Sequence, residues 1–170
     1  MTEDSAATHQ PSFVVTRTVT APVDRVWQAW VDPDLVRRWW GPDGWTCPIA
    51  KMDVGVGRTS LVAMCGPDGV ELYNRWTYTA IEPNSRLEFE VTFARPDGTE
   101  TPPTTLGLPA EIPVPVHHVV TFAVDGGTTT LCVAEYGYQP GPLLDMSRLG
   151  QEQCMDKLVD AVATDEIATD

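Results

Sequence analysis

The amino-acid sequence predicts an α+β fold, in which a curved antiparallel sheet of about seven strands packs around a long C-terminal helix. Residues 46–138 are rich in β-branched and aromatic residues and are divided by short turns. The segment after Pro142 instead places apolar residues at helical spacing. Short turns between strands favour antiparallel pairing, and one long helix can cover one face of such a sheet.

The first strand is predicted at 13–19, and two short helices are predicted to follow it. Asp32 is predicted to be the N-cap of the second of these helices, because Pro33 suits the first helical position. This helix is predicted to run to about Trp39. The first helix has one apolar face, formed by Val23, Val26, Trp27 and Trp30.

Six further strands and a final helix complete the predicted order. The final helix is expected to span roughly 20 residues. One connection, 96–113, contains five prolines and two glycines and is too long for a hairpin turn, so it is expected to be either a functional lid or a disordered segment. The strands are predicted at 46–53, 58–64, 70–81, 86–95, 114–124 and 129–138.

A single domain is predicted over 13–164, with a disordered leader at 1–12 and a disordered tail at 165–170. The polar, acidic leader has neither a signal-peptide nor a transit-peptide pattern, and no apolar run approaches the length of a membrane span. A cytoplasmic location without membrane insertion is therefore expected. The net charge of -13 disfavours binding to nucleic acids, because phosphate contacts need a cationic surface.

No metal or cofactor is predicted. The four cysteines are far apart in sequence and form no C-x-x-C pair, so a zinc site is not expected. The adjacent His117 and His118 of one predicted strand point to opposite faces and cannot chelate one metal together. The sequence also lacks a Walker-type phosphate loop and a G-x-S-x-G motif.

The run APVDRVWQAWVDPDLVRRWWGPDGWT at 21–46 resembles the START-like (polyketide cyclase) superfamily, in the branch named after the C-terminal domain of the activator of the heat-shock-protein-90 ATPase. Weaker matches follow at 66–90, 120–131 and 155–158, so the resemblance covers about 13–163. It implies a helix-grip fold with an internal hydrophobic cavity, but no single activity, because such proteins bind lipids, hormones or polyketides and some catalyse cyclisation or dehydration. This sequence departs from the family pattern at Gly150-Gln151, where G-W is common, and in its long proline-rich loop.

Two titratable side chains are predicted to be neighbours on the apolar concave face. A two-residue Gly126-Gly127 turn would place His118 opposite Glu135 on the adjacent strand. Directly opposed residues have Cβ atoms roughly 5 Å apart, so the pair is a candidate general acid and base. The alternative is a structural ion pair that satisfies buried polarity.

Aromatic and flexible apolar side chains are the candidate ligand-binding residues. They could form a stacking surface for a flat, apolar ligand, or they could be ordinary core residues. Sequence alone leaves open which face of the sheet lines the cavity. The candidates are Trp39, Trp40, Trp45, Met64, Trp76, Tyr78, Phe89, Phe93, Phe122, Gln151 and Met155.

Three functions are compatible with these features. The leading hypothesis is binding of a small hydrophobic, cyclic or polyketide-like molecule, with sequestration or resistance as one form of that role. The second is a cofactor-free cyclase, dehydratase or lyase that uses His118 and Glu135, assisted by Tyr78 or Arg75. The third, ranked lowest, is a cochaperone-like interaction module. The protein is expected to be a monomer or a homodimer.

Overall fold

The chain follows the predicted order of elements. The computed structural model describes the backbone of residues 10–168 and the side chains of 10–163. In this part of the chain there are seven strands, three α-helices and one short 3-10 turn. They are β1 (Phe13–Val19), α1 (Val23–Val31), α2 (Pro33–Trp39), β2 (Thr46–Lys51), β3 (Thr59–Cys65), β4 (Glu71–Glu82), β5 (Arg86–Ala94), the 3-10 turn (Pro103–Leu106), β6 (Val116–Asp125), β7 (Thr128–Tyr136) and α3 (Pro142–Ala168).

The seven strands form one antiparallel sheet in the order β1-β7-β6-β5-β4-β3-β2. The helix α3 packs against β1 and α2. This arrangement confirms the predicted helix-grip fold of the α+β class. The register of β6 and β7 is also as predicted, with Asp125 opposite Thr128 and His118 opposite Glu135.

The two short helices begin and end for local reasons. The Asp32 side chain accepts hydrogen bonds from the backbone N–H groups of Asp34 (2.8 Å) and Leu35 (3.4 Å), as expected of an N-cap. The indole N–H of Trp39 donates to the carbonyl oxygen of Ala29 at 2.7 Å. This bond ties the end of α2 to α1, so the two helices cover the sheet as a unit.

An aromatic core fills the space between the short helices and one end of the sheet. Trp76 of β4 is fully buried and stacks on Phe89 of β5, with ring centroids 4.8 Å apart. Trp30, Trp39 and Trp40 also contact the Trp76 ring, with centroids 6.5, 6.2 and 5.0 Å away. These rings interlock and fill this end of the concave face with core side chains.

The loop that follows α2 is held by α3. The Lys157 ammonium group donates three hydrogen bonds to backbone carbonyl oxygens, those of Gly41 (2.8 Å), Pro42 (3.0 Å) and Trp45 (2.9 Å). Its three N–H donors match three carbonyl oxygens that would otherwise have to accept hydrogen bonds from water. One side chain of α3 therefore sets the path of residues 41–45.

The described residues extend into both the predicted leader and the predicted tail. The predicted leader, 1–12, lies mostly outside the described residues, which begin at residue 10. Ser12 belongs to the folded domain, because its N–H donates to the Glu135 carbonyl at 2.7 Å and its hydroxyl accepts from the Tyr138 N–H at 2.9 Å. Helix α3 has 27 residues and runs through Ala168 into the predicted tail, of which residues 169–170 lie outside the described part.

Candidate functional site

A cavity of about 340 Å³ lies between the concave face of the sheet and α3. The sheet contributes Met64, Leu72, Asn74, Val91, Phe93, Val116, His118 and Glu135. Helix α3 contributes Leu143, Met146, Ser147, Gly150, Gln151 and Cys154. Connecting segments contribute Trp40, Pro42, Leu108, Ile112 and Tyr138. Most of these side chains are apolar, and none is a lysine or an arginine.

The proline-rich loop forms part of the cavity wall. Its first residues fold back by short-range turns, with hydrogen bonds from the Arg95 N–H to the Thr99 carbonyl and from the Thr101 N–H to the Phe93 carbonyl, both 2.9 Å long. Beyond the 3-10 turn, Leu108 and Ile112 line the cavity. Of the two alternatives left open by the sequence, a disordered segment and a functional lid, the structure shows an ordered segment beside the cavity.

His118 and Glu135 meet on the inner wall of the cavity. Both are buried, with 4% and 5% of their surfaces exposed. Nε2 of His118 lies 3.5 Å from Oε2 of Glu135. The other ring nitrogen, Nδ1, lies 3.3 Å from the Val116 carbonyl oxygen, and because a carbonyl can only accept, Nδ1 carries a hydrogen. The imidazole also stacks on Phe89, with centroids 4.9 Å apart, which limits its rotation.

Gln151 brings α3 into the same polar group. Its Nε2 atom donates to Oε2 of Glu135 at 2.6 Å, and the side chain is 6% exposed. The sequence departure at this position therefore supplies a polar contact to the buried carboxyl group. We call His118, Glu135 and Gln151 the polar triplet.

Comparison with known proteins places the chain in a family. The model of the family described as activator of Hsp90 ATPase homolog 1-like protein matches residues 20–163. The chain belongs to this family. No curated protein matches the sequence.

Solved structures of similar fold come from several bacteria. A Chromobacterium violaceum protein shares 21% identity, with a TM-score of 0.72 over 88% of this chain and 95% of its own. An Arthrobacter aurescens protein shares 28% identity, with a TM-score of 0.71 over 90% of this chain and 86% of its own. The AHSA1 protein of Silicibacter pomeroyi shares 15% identity, with a TM-score of 0.70 over 90% of this chain and 98% of its own. These structural similarities agree with the helix-grip fold described above for this family member.

Neither a membrane span nor a metal cluster is found in the described part of this family member. No helix there combines the length and the apolar character needed to cross a membrane. Among the same residues, no three His, Cys, Asp or Glu side chains are grouped so that they could hold a metal ion.

The environment of the polar triplet changes its acid–base chemistry. Burial raises the pKa of Glu135, and this effect exceeds the opposing effects of the nearby His118 imidazole and the Gln151 hydrogen bond. Burial, with a smaller contribution from the charge of Glu135, raises the pKa of Tyr138 to about 12. Burial also raises the pKa of Cys154 to about 11, so this thiol is a poor nucleophile at neutral pH.

Replacing Glu135 by glutamine is expected to alter the pH dependence of stability. Because folding raises the Glu135 pKa above its ordinary value of 4.5, the folded state retains a proton that the unfolded chain releases. The stabilisation from this proton is complete below pH 4.5 and is lost as the pH rises through the folded-state pKa. Urea unfolding from pH 4 to 8 should therefore show Glu135→Gln gaining stability over wild type as the pH rises. The exposed Glu71→Gln variant is the matched control, and a pH-independent difference for Glu135→Gln would contradict the prediction.

The structure brings together some of the predicted site residues. Trp40, Met64, Phe93 and Gln151 line the cavity together with His118 and Glu135. The remaining predicted ligand-binding residues lie elsewhere. Those within the buried core, and not on the cavity wall, are Trp39, Trp76, Tyr78, Phe89, Phe122 and Met155.

The physical reason is that α1 and α2 cover one end of the concave face. Alternation along a strand identifies the face of a residue but not its position under the helices. Tyr78 belongs to the buried core, and its hydroxyl forms a 2.7 Å hydrogen bond with Ser60. Trp45 is half-buried beside Gly66, and Arg75 is on the opposite face, where its Nη1 donates to the Gly98 carbonyl at 2.9 Å.

Several residues of the cavity wall were not among those predicted from the sequence. Leu72 and Asn74 alternate with Trp76 and so share its face, a signal that the strand pattern contains. Leu108, Ile112 and the first turns of α3 have no comparable signal, because loop paths and helix placement depend on long-range packing.

Proposed function

We propose that this protein binds a small hydrophobic molecule, cyclic or polyketide-like, in the cavity between the sheet and α3. The observation that carries the proposal is the cavity itself, whose walls are mostly apolar and which contains one compact polar group, the polar triplet. Its volume of about 340 Å³ falls within the range of roughly 300–1,000 Å³ typical of small-molecule sites.

The size of the cavity limits the ligand. At the packing density of protein interiors, about 0.74, the occupant of this 340 Å³ space would have a volume of about 250 Å³, which corresponds to roughly four fused rings. Binding of such a molecule against these walls removes apolar surface from water and stabilises the complex in proportion to that surface. The walls would also cover part of a reactive ligand, which is compatible with a sequestration or resistance role.

Native mass spectrometry tests the proposal directly. The freshly purified protein is compared with its denatured mass, before and after incubation with a panel of polycyclic aromatic compounds and lipids. A non-covalent mass of the expected size supports ligand binding and identifies the ligand class. A protein that stays bare throughout would contradict it and favour the interaction-module hypothesis.

A larger side chain on the cavity-facing side of α3 is expected to weaken ligand binding. Ser147→Phe puts a benzyl group into the cavity wall, so the affinity for a ring compound found in the panel should fall at least about tenfold, by the loss of burial for a few ring carbons. The matched control is Leu149→Phe, since Leu149 is 54% exposed on the same helix and does not line the cavity. Calorimetric titration measures both affinities. Unchanged affinity in a folded Ser147→Phe protein would place the ligand elsewhere.

A second candidate function is cofactor-free acid–base catalysis, as in a cyclase, dehydratase or lyase. The observation that favours it is the buried His118–Glu135 pair on the cavity wall, with 3.5 Å between Nε2 and Oε2. An imidazole and a carboxyl group in contact can pass a proton to and from a bound substrate. Full turnover of an identified substrate by His118→Ala would exclude this role for the pair.

A further inference from the structure

Building on the proposed function, we propose that the ligand is a neutral molecule with a hydroxyl group, and that this hydroxyl donates its hydrogen to the side-chain oxygen of Gln151, beside the Glu135 carboxyl group. Gln151 is then the residue that selects hydroxylated ring compounds from equally apolar compounds without a donor. The polar end of the cavity then accepts a hydrogen bond from the ligand.

The contacts within the polar triplet leave acceptor atoms for the ligand. Both His118 and Gln151 approach the same oxygen of Glu135, Oε2, so its second oxygen, Oε1, is used by neither contact. The Gln151 amide group donates one of its two Nε2 hydrogens to Glu135, and its Oε1 atom is buried without a hydrogen-bond partner among the described residues. A buried acceptor without a partner raises the free energy of the free protein, and a ligand donor relieves this cost.

His118 offers the ligand neither a further donor nor a further acceptor. Its Nδ1 faces the Val116 carbonyl and its Nε2 faces Glu135, so both ring nitrogens already have neighbours. The indole N–H of Trp40, which also lines the cavity, has no hydrogen-bond partner in the described part of the chain and suits a ligand oxygen as acceptor. A hydroxyl oxygen and an ether oxygen can both accept this bond, so Trp40 does not distinguish between them.

The charges around the cavity favour a neutral ligand. The cavity-lining residues include the Glu135 carboxyl group but no lysine or arginine that could pair with an anion. The whole chain carries a formal net charge of -13, which also opposes the approach of a carboxylate or a sulfate. Burial of an unpaired anion in such a site is strongly unfavourable. Fatty acids and other organic acids are therefore poor candidates, whereas phenols and cyclic alcohols suit the site.

Three matched probes test the proposal with the full-length protein. 2-Naphthol has a hydroxyl donor, 2-methoxynaphthalene keeps the ring and the acceptor oxygen but has no donor, and 2-naphthoate has an anionic group. Dissociation constants are measured by calorimetry for wild type, Gln151→Leu and Gln153→Leu. Gln153 is the matched control because it lies on the same helix and its side chain accepts from the Asp43 N–H at 3.0 Å instead of lining the cavity.

Wild type is expected to bind 2-naphthol about tenfold more tightly than 2-methoxynaphthalene, the effect of about one buried hydrogen bond. In Gln151→Leu this preference should fall to about twofold or less through weaker naphthol binding, while the affinity for methoxynaphthalene stays the same. Gln153→Leu should keep the wild-type preference. 2-Naphthoate should bind more weakly than either neutral probe.

Different results would overturn the two proposals separately. If wild type binds both neutral probes equally, or prefers 2-naphthoate, the hydroxyl inference fails while ligand binding in the cavity stands. A naphthol preference that survives in Gln151→Leu would move the hydroxyl to another acceptor and overturn the role of Gln151. If no ring compound binds wild type, the proposed function itself fails. Should Gln151→Leu not fold, the nearly isosteric Gln151→Met and the wild-type preference provide the same test.

Discussion

Replacing Lys157 by methionine is expected to destabilise the protein by about 3–5 kcal/mol, since each hydrogen bond to a charged donor contributes about 1.5–3 kcal/mol and the three share one ammonium group. Lys157 donates to the carbonyl oxygens of Gly41, Pro42 and Trp45. Methionine has a similar length but no donor, so the three carbonyls of the loop after α2 lose their partner. Urea unfolding at neutral pH measures the loss.

Two further variants sharpen this prediction. Lys51→Met, at an exposed position on β2, is the matched control and should change stability by no more than about 0.5 kcal/mol. Lys157→Arg keeps the charge but replaces three rotatable donors with a planar guanidinium group, so it should recover only part of the stability. A Lys157→Met protein as stable as Lys51→Met would show that water replaces the ammonium group at these carbonyls.

Truncation of Trp76 to alanine is expected to destabilise the protein by about 3–5 kcal/mol, the range for large aromatic residues in cores. Trp76 is fully buried and contacts four aromatic side chains, Trp30, Trp39, Trp40 and Phe89. Its removal leaves a space that four interlocked rings cannot close without leaving their own contacts. Thermal and urea unfolding measure the effect.

Trp45→Ala is the matched control for this truncation. Trp45 is half-buried beside Gly66 and is outside the aromatic core, so its loss should cost clearly less than the loss of Trp76. Equal losses for the two tryptophans would contradict the assignment of Trp76 to the core. A stable Trp76→Ala protein with strongly weakened ligand binding would return Trp76 to the set of ligand-binding residues predicted from the sequence.

The family assignment limits what can be carried over from other proteins. Residues 20–163 match the family of activator of Hsp90 ATPase homolog 1-like proteins, and the similar solved structures support the helix-grip fold. Fold alone does not select a ligand or a reaction, because function depends on the residues of the site. The polar triplet and the apolar walls of this chain are therefore the basis for the functional proposals.

Local rules in the sequence were sufficient for the order of elements and for the contact between two of the three residues of the polar triplet. The Asp32-Pro33 pair predicts the start of α2, because a capping carboxylate and a preset backbone angle act within one helical turn. The two-residue turn at Gly126-Gly127 predicts the pairing of β6 with β7, and so the contact between His118 and Glu135. Each of these features depends on residues that are close in sequence.

Only the tertiary structure decided which residues surround the cavity. Trp76 and Asn74 share one face of β4, yet the first is core and the second lines the cavity, because α1 and α2 cover only one end of the sheet. The contact of Gln151 with Glu135 and that of Lys157 with the loop after α2 depend on where α3 lies over the sheet. That position results from many weak packing contacts between distant segments, and no local pattern in the sequence encodes it.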